Sequence, residues 1–193
     1  MPAAVAAARR TGLRSVFSGK LWFWLPWPFL VALDLWSKAA VFAWIAATYR
    51  YQPEELRHHD VFTGPVEFRL VTWGNPGTIW GLFQNGTVPL IIVRCAAIVA
   101  LLVFAARTAN RARLQLLVLS LIFAGAVGNL YDNLTRADHT VRDFLRFEGL
   151  WPMKWSFPAF NVADSCITVG AIGLLILLLR EDRGSARPAE RVS

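Results

Sequence analysis

The stretch "FNVADSCITVGAIGLLILLL" (residues 160–179) joins a polar front edge to an apolar run that continues until Arg180. A helical membrane crossing needs ~20 apolar residues, so the run reads as a span. Asn161 and Asp164 stand at its start, where ionising a carboxylate in lipid is costly. Such a placement needs a reason, and that reason depends on which membrane face this end occupies.

Three more stretches of the same kind lie upstream, within Leu21–Ala47, at Thr87–Ala106 and at Leu114–Tyr131. The first is broken only by Asp34, Ser37 and Lys38 and is too long for one straight crossing. Trp22, Trp24 and Trp27 resemble an interfacial aromatic belt, so this span is expected to start there and end near Phe42. "AWIAATYRY" (43–51) would then lie along the far interface. The basic lead "MPAAVAAARRTGLRSVFSGK" precedes an apolar stretch longer than the ~7–15 residues of a signal peptide core, so the first span is read as uncleaved.

Composition agrees with this reading. The chain has 193 residues, 55% hydrophobic and 17% charged, with a mean hydropathy of +0.42, which is too apolar for a soluble domain of that length. The expected organisation is a basic leader at 1–20, one four-span domain at 21–180 and a disordered tail at 181–193. A net charge of +7 would suggest a nucleic-acid partner in a soluble protein. Here basic flanks that orient the spans account for it, and no nucleic acid is expected. Cys95 and Cys166 fall inside apolar runs and read as small buried residues, with neither disulfide nor metal spacing.

Eleven Lys and Arg residues fall in the leader, the short loop after the second span and the tail. Seven are spread over the longer loops on the other side. That density predicts cytoplasmic termini, with loops 48–86 and 132–160 facing outward. Alternation in "PVEFRLVTW" (65–73) predicts a short sheet-like element on that outer face. The expected fold is therefore all-α, with four transmembrane helices and a small β-containing outer element.

Ionisable residues inside spans are functional candidates by default. Asp34 and Lys38 are four apart, share a helix face and can pair, either to lock packing or to act directly. Arg94 is expected to snorkel or to pair with Asp34. The end of the third span, "FAGAVGNLYDNLTRADHTVRDF" (123–144), is denser. Gly125 and Gly128 would let a neighbouring helix approach closely, and His139 reads as a solvated loop residue. Topology brings Asn129, Asp132, Asp143, Asn161 and Asp164 to one membrane face. Two aspartates at such a site can activate water, because close like charges cannot both ionise and one stays protonated. Spacing alone leaves capping and packing roles open for Asp132 and Asp164.

At these residues the chain resembles the lipoprotein signal peptidases, or signal peptidase II. The matching blocks are "LDLWSKAAV" (33–41), "NPGTIWGLF" (75–83), "AGAVGNLYDN" (124–133) with "VRDF" (141–144), and "FNVADSCITVG" (160–170). The resemblance implies a four-helix inner-membrane aspartyl endopeptidase without metal or cofactor, with Asp143 and Asp164 as its catalytic pair. Asn75, Gly77, Asn129, Asp132, Asn161, Asp34 and Lys38 would support the site or the substrate. Asn129, Asn161 and backbone donors are candidates for steadying the oxyanion. It also implies removal of the signal peptide from diacylglyceryl-modified prolipoproteins, just before the lipidated Cys, by a monomer in contact with membrane lipid. The chain departs from the family in having Asn133 where an Arg follows the third-block Asp, and Arg136 is expected to supply that charge. Ile79-Trp80 replaces Ala-Phe, and loop 48–74 is longer than usual. A small transporter or proton conductor, and a non-catalytic relative, are the alternatives. The first would need polar residues through the midplane rather than at one end.

Overall fold

The computed structural model of the chain describes residues 18–76, 87–149 and 155–185. Four of its helices are long and apolar enough to cross a membrane. A short helix α1 (Leu21–Trp24) leads into α2 (Pro26–Thr48), followed by a 3₁₀ turn (Glu54–Leu56), β1 (His58–Phe62) and β2 (Val66–Asn75). Then come α3 (Thr87–Arg107), α4 (Arg113–Thr135), β3 (Val141–Gly149), β4 (Trp155–Ser156) and α5 (Val162–Ser185).

The break between α1 and α2 at Leu25 precedes Pro26 and Pro28, which have no N–H to donate to the preceding turn. Proline fits the first turn of a new helix, so α2 starts there. The sequence places the end of this span near Phe42, but α2 runs on to Thr48. Nothing in "AWIAAT" breaks a helix, and Trp44 fixes the overrun by packing edge-on against His59 of β1, with ring centres 4.9 Å apart. The last helix likewise passes the expected boundary at 180 and reaches Ser185.

The central helix is α4, the only span with more than half of its apolar window buried among the described helices. Its small residues explain this. A Cβ on Gly125 would collide with the Ala163 carbonyl and lie 2.6 Å from Ile167 Cγ1 of α5. A Cβ on Gly128 would lie 2.5 Å from the Asp34 carboxylate of α2. Two neighbouring helices therefore meet α4 at backbone range, as small residues permit in membranes. At the opposite end, Phe23, Leu116, Leu119 and Phe123 form a buried cluster against Trp24 and Trp27. Ser120 Oγ donates to the Phe23 carbonyl at 2.8 Å, and Lys20 Nζ donates to the Thr108 carbonyl.

The predicted outer element is a four-stranded antiparallel sheet in the order β1-β2-β3-β4. In the register of β2 with β3, Trp73 faces Asp143 and Asn75 faces Val141. β3 is also tied to the start of α5, because Leu145 and Phe160 exchange backbone bonds of 2.9 Å each. That double bond sets Asp143 beside Asn161. Cys166 is buried as expected, whereas Cys95 is exposed on the outer surface of α3. The helix turns a broadly apolar face outward there, so a small residue need not be covered.

Candidate active site

The sheet and three helices converge on a run of polar side chains. Asp143 is fully buried at the β2–β3 register shift, and its two oxygens accept from Asn161 Nδ2 at 2.7 Å and Asn75 Nδ2 at 2.9 Å. Asp164, in the first turn of α5, is half-buried. It accepts from Asn129 Nδ2 at 2.7 Å and from its neighbour Asn161's backbone N–H at 3.2 Å. Asn161 Oδ1 returns an N-cap bond by accepting from the Asp164 N–H at 2.9 Å. Asn161 Nδ2 also lies 3.2 Å from Asn129 Oδ1. Two interlocked asparagines thus hold two carboxylates, each by a short amide donor.

A second layer supports the first. Lys38 Nζ donates to Asp34 at 2.7 Å and to Asn129 Oδ1 at 3.0 Å, and lies 3.5 Å from Asp132. The other Asp34 oxygen accepts from the Ala163 backbone N–H at 2.9 Å, so α2 caps the start of α5. A carboxylate there also suits the positive end of the helix dipole. Asp132 is fully buried and pairs with Arg142, whose Nη2 lies at 2.6 Å and whose backbone N–H donates at 3.0 Å. The ion pair expected between Asp34 and Lys38 is thus the base of a network that reaches Asp164 through Asn129.

The structure brings together Asp34, Lys38, Asn75, Asn129, Asp132, Asp143, Asn161 and Asp164. Gly77 lies outside the described residues, as do Ile79 and Trp80. Arg136 is not in the cluster: it makes a two-pronged bond to Asp138 at 3.0 and 2.8 Å on the surface loop. That pairing holds the Asp138 carboxyl down at about 2. Arg94 does not pair with Asp34, whose oxygens are taken by Lys38 and Ala163; it donates to the side-chain oxygen of Asn133. His139 is an exposed loop residue as expected, but with a left-handed backbone (φ 53°), its Nδ1 at 2.8 Å from the Asn133 carbonyl. Asn129 donates one amide N–H to Asp164, while the Asn161 amide donates to Asp143 and also lies near Asn129 Oδ1 and the Arg142 carbonyl, so both asparagines position the pair. Sequence reading missed Arg142 and the Asp34 cap. The adjacent Arg142-Asp143 dipeptide was the one local signal for the former, and the latter had none.

Burial pushes the Asp143 carboxyl up from 3.8 to about 7, with the Asp164 charge adding to the rise and the Asn75 and Asn161 bonds opposing it. The folded protein therefore keeps a proton at Asp143 that the unfolded chain releases. Stability from this group is complete below pH 3.8 and is lost as pH rises through about 7. The melting temperature of the protein in detergent should accordingly fall more steeply across this window than that of Asp143→Asn. Equal slopes would mean that Asp143 carries no such proton.

Beside the pair, a groove of about 400 Å³ runs from Asn75 past Trp73 and Arg146 to Phe157 and Ala159. Asn75, which donates to Asp143, lines one end of it.

Comparison with known proteins places this arrangement. The model of the family described as signal peptidase (SPase) II matches residues 28–180. The lipoprotein signal peptidase of Symbiobacterium thermophilum is 37% identical over 131 residues, covering 67% of this chain and 82% of that one. That of Staphylococcus carnosus is 30% identical over 159 residues, 82% of this chain and 97% of its own. A bacterial membrane enzyme solved by the in meso method at 2.3 Å superposes with a TM-score of 0.62 at 27% identity, covering 85% of this chain and 90% of the other. The protein is a multi-pass membrane peptidase of the aspartic type. It belongs to the signal peptidase II family.

Proposed function

We propose that the chain removes the signal peptide from diacylglyceryl-modified prolipoproteins, cutting just before the lipidated Cys, with Asp143 and Asp164 as the catalytic pair. The observation that carries this reading is the pair itself: one buried and one half-buried carboxylate, each held by an asparagine that also contacts the other's asparagine. Asp143, raised to about 7, holds the shared proton, and Asp164 stands as the base. Asp164 takes a proton from a water between the two, and the resulting hydroxide attacks the scissile carbonyl carbon. Asp143 then gives its proton to the Cys nitrogen as the C–N bond breaks. The proton taken up by Asp164 passes back to Asp143 and restores the starting state.

The site belongs to the outer-leaflet side of the inner membrane, with both termini cytoplasmic, as the density of basic residues supports. One chain supplies every residue of the cluster, which supports action as a monomer. Purified protein mixed with a modified precursor should yield a product whose first residue is the diacylglyceryl-Cys, as read by mass spectrometry. An intact precursor, or a product starting elsewhere, would contradict the assignment.

A further inference from the structure

We propose that Arg94 is a substrate-binding residue: anchored on Asn133, its guanidinium donates to carbonyl oxygens of the lipid-modified precursor beside the two aspartates. This rests on the peptidase reading above. Arg94 sits within the span α3, half-buried, on a helix whose neighbouring Ile92, Val93 and Cys95 are exposed and apolar. A cation at such a place is expensive unless its donors are satisfied.

Among the described residues its bond goes to one neutral acceptor, the Asn133 side-chain oxygen, and it forms no ion pair. A guanidinium carries five N–H groups in a planar fork, so most of its donors remain to be met. Asp164, Asp143 and Asp132 are the carboxylates near enough to act on its charge through space. None of them takes it as a partner: Asp132 is held by Arg142, Asp164 by Asn129, and Asp143 by Asn75 and Asn161.

Its anchor is fixed. Asn133 is fully buried, and its Nδ2 donates to the His139 carbonyl at 2.6 Å while its own carbonyl meets His139 Nδ1 at 2.8 Å. The guanidinium is therefore held near the carboxylates, and among the described residues no anion pairs with it. A precursor entering from the membrane brings peptide and ester carbonyl oxygens, the acceptors that a partly desolvated Arg fork binds.

The test is steady-state cleavage of a diacylglyceryl-modified precursor by the full chain. Arg94→Met should raise KM about 10- to 100-fold, the worth of one or two bonds to a charged donor, with kcat within about twofold. The double variant Arg94→Met, Asn133→Arg should recover most of the lost affinity, since its guanidinium starts from the helix position on which Arg94 now rests. A purely structural clamp would instead lower kcat or melting temperature and would not be rescued. An unchanged KM, a loss confined to kcat, or failure of the relocated Arg to rescue would each overturn the proposal. If Arg94→Met does not accumulate folded, Arg94→Lys reads the same KM with the charge kept, and a wild-type KM there would overturn the proposed guanidinium contact. Wild-type protein that leaves the precursor intact would overturn the peptidase reading, and this inference with it.

Discussion

Asp143→Asn and Asp164→Asn will each lower kcat on a lipid-modified precursor by about 10³-fold or more, while the protein still accumulates in membranes. Asparagine keeps the volume and one acceptor oxygen of aspartate but exchanges no proton at neutral pH. At position 143 its amide N–H would oppose a donor from Asn75 or Asn161, and at position 164 one from Asn129 or the Asn161 backbone. That local conflict costs about 1–3 kcal/mol, which disturbs the site without unfolding four packed spans. The chemical loss should be larger, because in the proposed mechanism the two carboxylates act in sequence on one water and one leaving nitrogen. Losing either the acid or the base stops the same step, so the double variant should be no worse than the poorer single one. Near-normal turnover by either folded variant would remove that residue from the mechanism.

How much of this was legible in the sequence differs by kind of residue. The four spans were plain because an apolar run of membrane length needs no partner to be recognised. Their ends were less so: Thr48 and Ser185 lie beyond the expected limits, since helix continues wherever nothing breaks it and the interface leaves no sharp mark. "PVEFRLVTW" announced β2 by alternation, but its bulged register against β3, which sets Trp73 opposite Asp143, is a property of the pairing. Gly125 and Gly128 were readable as close-approach residues, and they admit α5 and the Asp34 carboxylate respectively. The polar cluster was legible as a topological coincidence, while the choice of Asp143 and Asp164 within it came from the sequence blocks and not from spacing. Contacts between distant helices were not legible. The cap of Asp34 on Ala163 joins residues 129 apart, and Arg94 meets Asn133 from a different span. Arg136 was expected to supply the missing charge because it is near in sequence. Asp138, two residues on, captures it first.

Lipid should decide which chains are cut. The candidate pair lies where the sheet meets the first turn of α5, at the end of the spans rather than on the free sheet surface. An ordinary soluble peptide has little reason to reside at that depth. A signal peptide followed by a diacylglyceryl-modified Cys does, since each buried methylene contributes ~0.8 kcal/mol to membrane residence. Two acyl chains anchored at one residue also fix the height of the adjacent bond, turning membrane binding into orientation of the reacting groups. The measurement that tests this most directly compares cleavage of one precursor, with and without the diacylglyceryl group on its Cys, by the same protein in the same bilayer at equal concentration. The modified precursor should be processed, and the unmodified one should remain intact over the same period. Similar rates for the two would show that the lipid is not read, and would contradict the assignment at its centre.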